Sequence, residues 1–241
     1  MLSDNTVQMS EWLLASLGTQ MFLHHGDRIP RQGAVLVVSN HRSFMDPIVL
    51  TAATGRTIRF ACHHYMGQIP VMRDVVTALG AFPLEAPTHR QQHFFAQAMA
   101  LLQAQQMVGI FPEGAEPMVQ STQANTLGKF QRGFAHLALR TPVRDLAVLP
   151  IALASYQEQC LPTGVPLRLL SLFDPSEPLF KQTGWHPVVI YQRLNVLIGR
   201  PYWITPFQRQ QYQGKQVKTA VADLTHYCQA EIAGLLRQGC F

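Results

Sequence analysis

Through the middle of this chain, apolar runs short enough for strands alternate with amphipathic runs long enough for helices. That alternation limits the possible folds more than any other feature. Ala34–Val38 is a continuous apolar run, and "DPIVLTAATG" (Asp46–Gly55) follows it with a proline near the start and a glycine at the end, as a short helix does. "TIRFACHH" alternates like a strand, "IPVMRDVVTALG" predicts a short helix, and "AFPL" a further strand. Thr88 and Gln91 have the spacing of a capping box for a long helix over "HRQQHFFAQAMALLQAQQ". "MVGIFPEG" reads as a strand ending in a turn, "LGKFQRGFAHLALRT" as a helix and "DLAVLPIALAS" as another buried strand. Strands connected by helices pair in parallel with helices on the faces, so the sequence predicts an α/β fold: a mixed, mostly parallel sheet flanked by helices.

The ends of the chain extend this plan. "SEWLLASLGTQMFLHH" spaces Leu13, Leu14, Leu17 and Met21 like one helix face, widened by Trp12, Phe22 and Leu23. A core-facing helix or an interfacial helix dipping Trp12 and Phe22 into a bilayer both fit this stripe; few basic residues oppose it. After Gln157, "HPVVIYQRLNVLIGRP" predicts a long or bent strand, and "GKQVKTAVADLTHYCQAEIAGLLRQG" an amphipathic helix. With 241 residues and no convincing linker, a single domain is expected, divided only into an N-terminal amphipathic segment (1–30) and the body (31–241).

Composition narrows the function. Charged residues make up only 14% of the chain and the net charge is +5, which suits an anionic partner: a membrane surface, an acidic carrier protein or a phosphorylated small molecule. The basic residues are scattered, so no nucleic-acid footprint is expected. The four cysteines lie far apart with no CxxC pair, which indicates reduced thiols in a protein facing the cytosol and no zinc site. The N-terminus lacks the features of a signal peptide, and no apolar run reaches membrane-spanning length. Membrane contact is therefore expected to be peripheral.

The stretch "VVSNHRSFMDP" carries the candidate chemistry. His41 follows a buried strand, and Asp46 stands where a helix begins. On a continuous helix, residues five apart point about 140° from each other, so the two can meet only across a turn. Sites in open α/β sheets gather at the carboxyl ends of strands. There the Asp46 carboxylate can hold one imidazole nitrogen while the other takes a proton from a substrate hydroxyl. The same spacing equally fits a surface histidine beside an aspartate that caps its helix.

The order of "NHRSFMDP", "LGAFPLE", "FPEG" and "VLPIALA" settles which reading to pursue. With the connecting segments and "LNVLIGRPYWI", they resemble the glycerolipid acyltransferases, the PlsC-type, 1-acyl-sn-glycerol-3-phosphate acyltransferase-like family, from about residue 30 to 205. The resemblance implies the glycerol-3-phosphate acyltransferase-like fold. It also implies transfer of a fatty acyl group from an acyl-CoA or acyl carrier protein thioester to a hydroxyl of a lysophospholipid or related acceptor, with no cofactor beyond that co-substrate and no metal. It makes His41 the general base and Asp46 its partner, gives Phe111, Pro112, Glu113 and Gly114 to the acceptor site, and places Pro150 near the acyl pocket. The implied location is the cytoplasmic face of a membrane, bound peripherally.

Two departures concern the acceptor. Where the family presents an arginine after its second motif, this chain has Glu85 and Ala86, and where Thr-Arg follows the third motif it has Ala115 and Glu116. A bidentate guanidinium is suited to phosphate and a carboxylate repels it. Three readings stand: Arg90, Lys129 or Arg132 supplies the clamp; the acceptor is a neutral lipid alcohol; or the fold binds lipid without catalysis.

Overall fold

The computed structural model describes residues 2–62, 79–83, 90–114, 116, 123–166, 168 and 185–239. In chain order the elements are α1 (Leu2–Ser16), β1 (Gln20–His24), a single 3-10 turn (Gly26–Arg28), β2 (Val35–Ser39), α2 (Asp46–Thr54), β3 (Ile58–Cys62), β4 (Phe82–Pro83), α3 (Arg90–Gln103), β5 (Met107–Ile110), α4 (Gly133–Arg140), β6 (Ala147–Pro166), β7 (Trp185–Ile198), β8 (Tyr202–Trp203), α5 (Pro206–Gln213) and α6 (Val217–Gln238).

The strands form one eight-stranded sheet in the order β1-β7-β6-β2-β5-β3-β4, with β8 continuing along β6. Pairing is parallel from β6 through β2, β5 and β3 to β4. β6 and β7 pair antiparallel over their length, and β1 lies parallel to β7 at the edge. This is the mixed, mostly parallel α/β sheet that the strand–helix alternation predicts.

Alternation within β2 sends its side chains to opposite faces, and each face builds a core. Leu36 and Val38 pack with Leu102, Phe134, Leu137, Leu224 and Ile232 from α3, α4 and α6. Val35 and Val37 pack on the other face with Ile48, Val49 and Leu50 of α2 and Leu14 of α1. β2 is therefore buried on both faces along its whole length, as central parallel strands are. Each fully buried aliphatic side chain of this kind contributes about 1.5–3 kcal/mol.

The N-terminal stripe folds differently from the single helix expected over Ser10–His25. α1 stops at Ser16, and Gly18 adopts φ 69°. The Thr19 and Gly18 N–H groups then donate to the Leu14 and Ala15 carbonyls at 2.9 and 3.0 Å, the paired bonds of a glycine-ended helix. Residues Gln20–His24 become β1, registered against Arg193–Leu197. β1 thus shares its sheet with strands from beyond residue 31. Trp12 is 70% exposed and Phe22 45%.

The helix expected over "IPVMRDVVTALG" and the Thr88–Gln91 capping box lie outside the described residues and side chains. α5, which sequence periodicity does not single out, starts with a Thr205–Gln208 capping box.

Candidate active site

β2, β5 and β6 run parallel, so their carboxyl ends finish on the same side of the sheet. Where β2 stops, Asn40 extends its ladder with a side chain: the Leu153 N–H donates to Asn40 Oδ1 at 2.8 Å and Asn40 Nδ2 donates to the Leu153 carbonyl at 3.0 Å. Asn125 clasps the N–H and C=O of Ser155 in the same way at 2.9 and 3.0 Å. These amides replace the strand neighbour that β6 lacks at each point, so its backbone groups stay paired. His41 emerges directly after Asn40.

Asp46 is the centre of the loop that follows. Its side chain is completely buried. Oδ2 lies 2.8 Å from His41 Nδ1 and accepts from the Arg42 and Ser43 N–H groups at 2.7 and 2.9 Å. Oδ1 accepts from the Tyr191 hydroxyl at 2.8 Å. Donors surround both oxygens, which is the condition for holding a carboxylate inside a protein. Because Asp46 only accepts, Nδ1 of His41 carries the proton in this contact, which leaves Nε2 as the basic nitrogen.

The sequence suggests that Asp46 caps α2. The structure places it within the first helical turn, with its carboxylate aimed back at the preceding loop, and no side chain caps α2. The sharp turn from His41 to Asp46 brings the Arg42 and Ser43 amides inside the carboxylate's reach before any helix amide. Ser43 steadies that turn: its Oγ donates to the Val189 carbonyl at 2.6 Å and accepts from the Met45 N–H at 3.0 Å.

The "FPEG" residues follow β5. Phe111 stacks on the His41 ring with centroids 3.9 Å apart and planes 11° apart, and Phe60 stacks behind Phe111 at 5.2 Å. The stack depends on Gly109: a Cβ there would lie 2.0 Å from the Phe60 ring. Glu113 is buried and accepts from the His41 N–H at 3.0 Å through Oε1 and from the Gly128 N–H at 2.6 Å through Oε2. It ties the histidine loop to the segment ahead of α4. Burial raises its carboxyl above the ordinary value, opposed in part by the N–H groups of Gly128 and His41. Gly114 closes the turn by donating to the Phe111 carbonyl at 3.1 Å.

A cleft of about 250 Å³ opens over these groups, lined by His41, Arg42, Glu113, Tyr191, Leu153 and, from the segment ahead of α4, Asn125 to Lys129; Glu116 also faces it. Pro112 and Pro150 are buried, and neither contributes to the cleft wall; Pro150 sits within β6 beside Val38. Among the suggested clamps, Lys129 lines the cleft and Arg132 precedes α4 without lining it. Arg90 opens α3, while its side chain, Glu85, Ala86 and Ala115 lie outside the described parts.

Sequence reasoning missed Tyr191, Asn40, Glu158 and Gly128. Tyr191 is 2% exposed, and burial, together with the charge of Asp46, pushes its phenol well above the ordinary value, so it stays a donor. Glu158 of β6 pairs with the Arg42 guanidinium. A polar residue inside an apolar strand, as Tyr191 is in "VVIYQRL", was the available signal. Among the described residues, no cluster of three or more His, Cys, Asp or Glu side chains could hold a metal ion. No serine, threonine or cysteine side chain hydrogen-bonds the His41 ring among those residues. The arrangement is thus a histidine hydrogen-bonded to a buried aspartate beside an open cleft, a geometry chemically capable of accepting a proton from a hydroxyl.

The fold is thus a mixed, mostly parallel α/β sheet that holds a histidine–aspartate pair at the carboxyl ends of its parallel strands. Residues 21–154 match the family model described as Acyltransferase, more than half of the chain, and the chain belongs to that family. It is 23% identical over 148 residues to a 1-acyl-sn-glycerol-3-phosphate acyltransferase of Borreliella burgdorferi. That match covers 61% of this chain and 55% of the relative, so the chain spans about half the length of the relative it matches. Its fold is similar to that of the crystal structure of the 1-acyl-sn-glycerophosphate acyltransferase PlsC from Thermotoga maritima, with a TM-score of 0.61 over 97% of this chain and 77% of that one, at 15% identity.

Proposed function

We propose that this chain transfers a fatty acyl group from an acyl-CoA or acyl carrier protein thioester to the hydroxyl of a lysophospholipid of the 1-acyl-sn-glycerol-3-phosphate class. The observation that carries the reading is the His41–Asp46 pair, 2.8 Å apart, facing a cleft, with no nucleophilic side chain on the His41 ring among the described residues. Nε2 of His41 takes the acceptor's hydroxyl proton as that oxygen attacks the thioester carbonyl. Asp46 stabilises the imidazolium. The tetrahedral intermediate then expels the thiolate as the C–S bond breaks, and the imidazolium returns the proton to sulfur. The relatives' names support the acceptor class, and no cofactor beyond the thioester is needed for this chemistry.

The cleft also favours a second acceptor. Glu116 faces it, and a carboxylate there disfavours a phosphate, so a neutral lipid alcohol is the alternative. Incubation of the purified protein with labelled acyl-CoA and acyl carrier protein thioesters, against phosphate-bearing and neutral lipid alcohols, separates the readings. Preferential acylation of 1-acyl-sn-glycerol-3-phosphate supports the first, and preference for a phosphate-free alcohol supports the second. Absence of transfer to any acceptor leaves the lipid-binding alternative.

The enzyme meets its acceptor at the cytoplasmic face of a membrane as a peripheral protein. The exposed Trp12 and Phe22 and the net charge of +5 support this, and no helix among the described residues is long and apolar enough to cross a membrane.

A further inference from the structure

We propose that Asn125 is a positioning residue for the acceptor: by clasping β6 at Ser155, it holds the cleft wall of residues 125–129 where the acceptor's polar head group binds. Resting on the acyltransferase reading above, this names the residue that shapes the acceptor side of that site.

Residues 123–132 belong to no helix or strand, and 123–126 are exposed. Neither a ladder nor burial therefore fixes the front of the wall. Farther along, the segment is anchored at several points. The Gly128 N–H donates to Glu113, the Gly128 carbonyl accepts from Gln229 Nε2 at 3.2 Å, and the Gln131 N–H donates to the Pro112 carbonyl at 2.8 Å. Leu127 also packs against the core. At the front, Asn125 supplies the tie to the body of the domain. Its Oδ1 accepts from the Ser155 N–H at 2.9 Å and its Nδ2 donates to the Ser155 carbonyl at 3.0 Å. The Thr126 hydroxyl turns back to the Gln123 carbonyl within the same segment.

Two separate demands select asparagine here. Its backbone is left-handed, with φ 60°, a conformation that asparagine adopts more readily than most residues. Its side chain must also donate and accept at once to satisfy both groups of Ser155, which a carboxylate of the same length cannot do.

The histidine loop uses the same strand as its reference. Asn40, immediately before His41, clasps Leu153 with its own carboxamide, and two residues along a strand span about 7 Å, which separates this clasp from the one at Ser155. One strand segment thereby spaces the base and the wall. Asn125, Thr126 and Lys129 make the wall mainly polar, with Leu127 its apolar member, and such a surface suits a glycerol phosphate head group better than a fatty acyl chain. The His41–Asp46 pair is held separately, by Tyr191 and the loop amides, so loosening the wall leaves the base in place.

The test measures kcat and the KM values of 1-acyl-sn-glycerol-3-phosphate and of the thioester donor for the wild type, Asn125→Ala and Asn125→Gly. Calorimetric binding of sn-glycerol 3-phosphate and thermal melts accompany it. Each variant is expected to raise the acceptor KM by about 10-fold, the scale of one or two lost hydrogen bonds, with a much smaller effect on kcat and on the donor KM. Glycine accepts the left-handed backbone but lacks the clasp, so a wild-type acceptor KM in Asn125→Gly overturns the proposal. A fall in kcat as large as the rise in KM overturns it too, since the base is then disturbed, as does a rise confined to the donor KM. If Asn125→Ala fails to fold, Asn125→Gly decides alone; if neither folds, the clasp serves stability and the proposal fails. If the wild type turns over no acceptor, the acyltransferase reading fails by itself and calorimetry decides the wall. Glycerol 3-phosphate binding weakened about 10-fold in the folded variants supports it, and any other pattern, absence of binding to the wild type included, overturns it.

Discussion

The hydroxyl of Tyr191 donates to Oδ1 of Asp46 at 2.8 Å across a sequence separation of 145 residues, so β7 holds the carboxylate that holds the histidine. The tyrosine is itself pinned by its backbone: Thr19 Oγ1 donates to its carbonyl at 2.7 Å. Replacing Tyr191 with Phe keeps the ring and removes the donor. Loss of a hydrogen bond to a charged group is expected to cost about 1.5–3 kcal/mol of stability, measured by urea unfolding. It should also lower kcat with little change in KM, because Asp46 then orients the imidazole less firmly. A kcat equal to the wild type's would show that the hydroxyl serves folding alone.

Gly109 makes room for the stack that supports His41. With a Cβ placed 2.0 Å from the Phe60 ring, Gly109→Ala forces Phe60 and Phe111 to shift. Overpacking of this kind costs about 1–3 kcal/mol, and displacement of Phe111 moves the ring stacked on His41. A lowered thermal midpoint together with a lowered kcat is the expected outcome. An unchanged midpoint would mean that β5 yields without strain.

Glu113 gives the protein a pH dependence of defined sign. Its carboxyl titrates above its ordinary value of 4.5 in the folded state because it is buried. The folded protein then binds more protons than the unfolded one between 4.5 and the raised value, so this group's contribution to stability falls as pH rises through that window. Gln cannot titrate. Denaturant unfolding of the wild type and Glu113→Gln, compared from pH 4 upward, should show the wild type losing ground across the window; a constant difference would contradict the assignment.

Membrane association is expected to combine apolar insertion with charge. Co-sedimentation with anionic vesicles should occur at low salt, weaken at high salt as the basic surface is screened, and weaken further in a Trp12→Ala, Phe22→Ala double variant. Equal recovery of protein in the pellet with and without vesicles would count against it.

The sheet was legible because buried parallel strands and amphipathic helices write different periods into the sequence, and Ala34–Val38 and Val217–Leu235 carry those periods plainly. His41 and Asp46 were legible as a pair because a short turn joins them. Tyr191 was not, since its meeting with Asp46 depends on the register of β7 against β6, including the irregularities around Gln157. The end of α1 was obscured because Leu17, Met21 and Phe22 continue an apolar stripe past the glycine that breaks the helix. The alternative in which Asp46 caps α2 fits the sequence as well, because aspartate before proline has the chemistry of a cap. Only the turn geometry shows its carboxylate facing the other way.

The most direct test of the central claim is the rate of acyl transfer from a thioester to 1-acyl-sn-glycerol-3-phosphate by the wild type and by His41→Ala, each shown to be folded by circular dichroism. The base accounts for a loss of about 10²–10⁴-fold in the variant. A folded His41→Ala protein with the wild-type rate would contradict it.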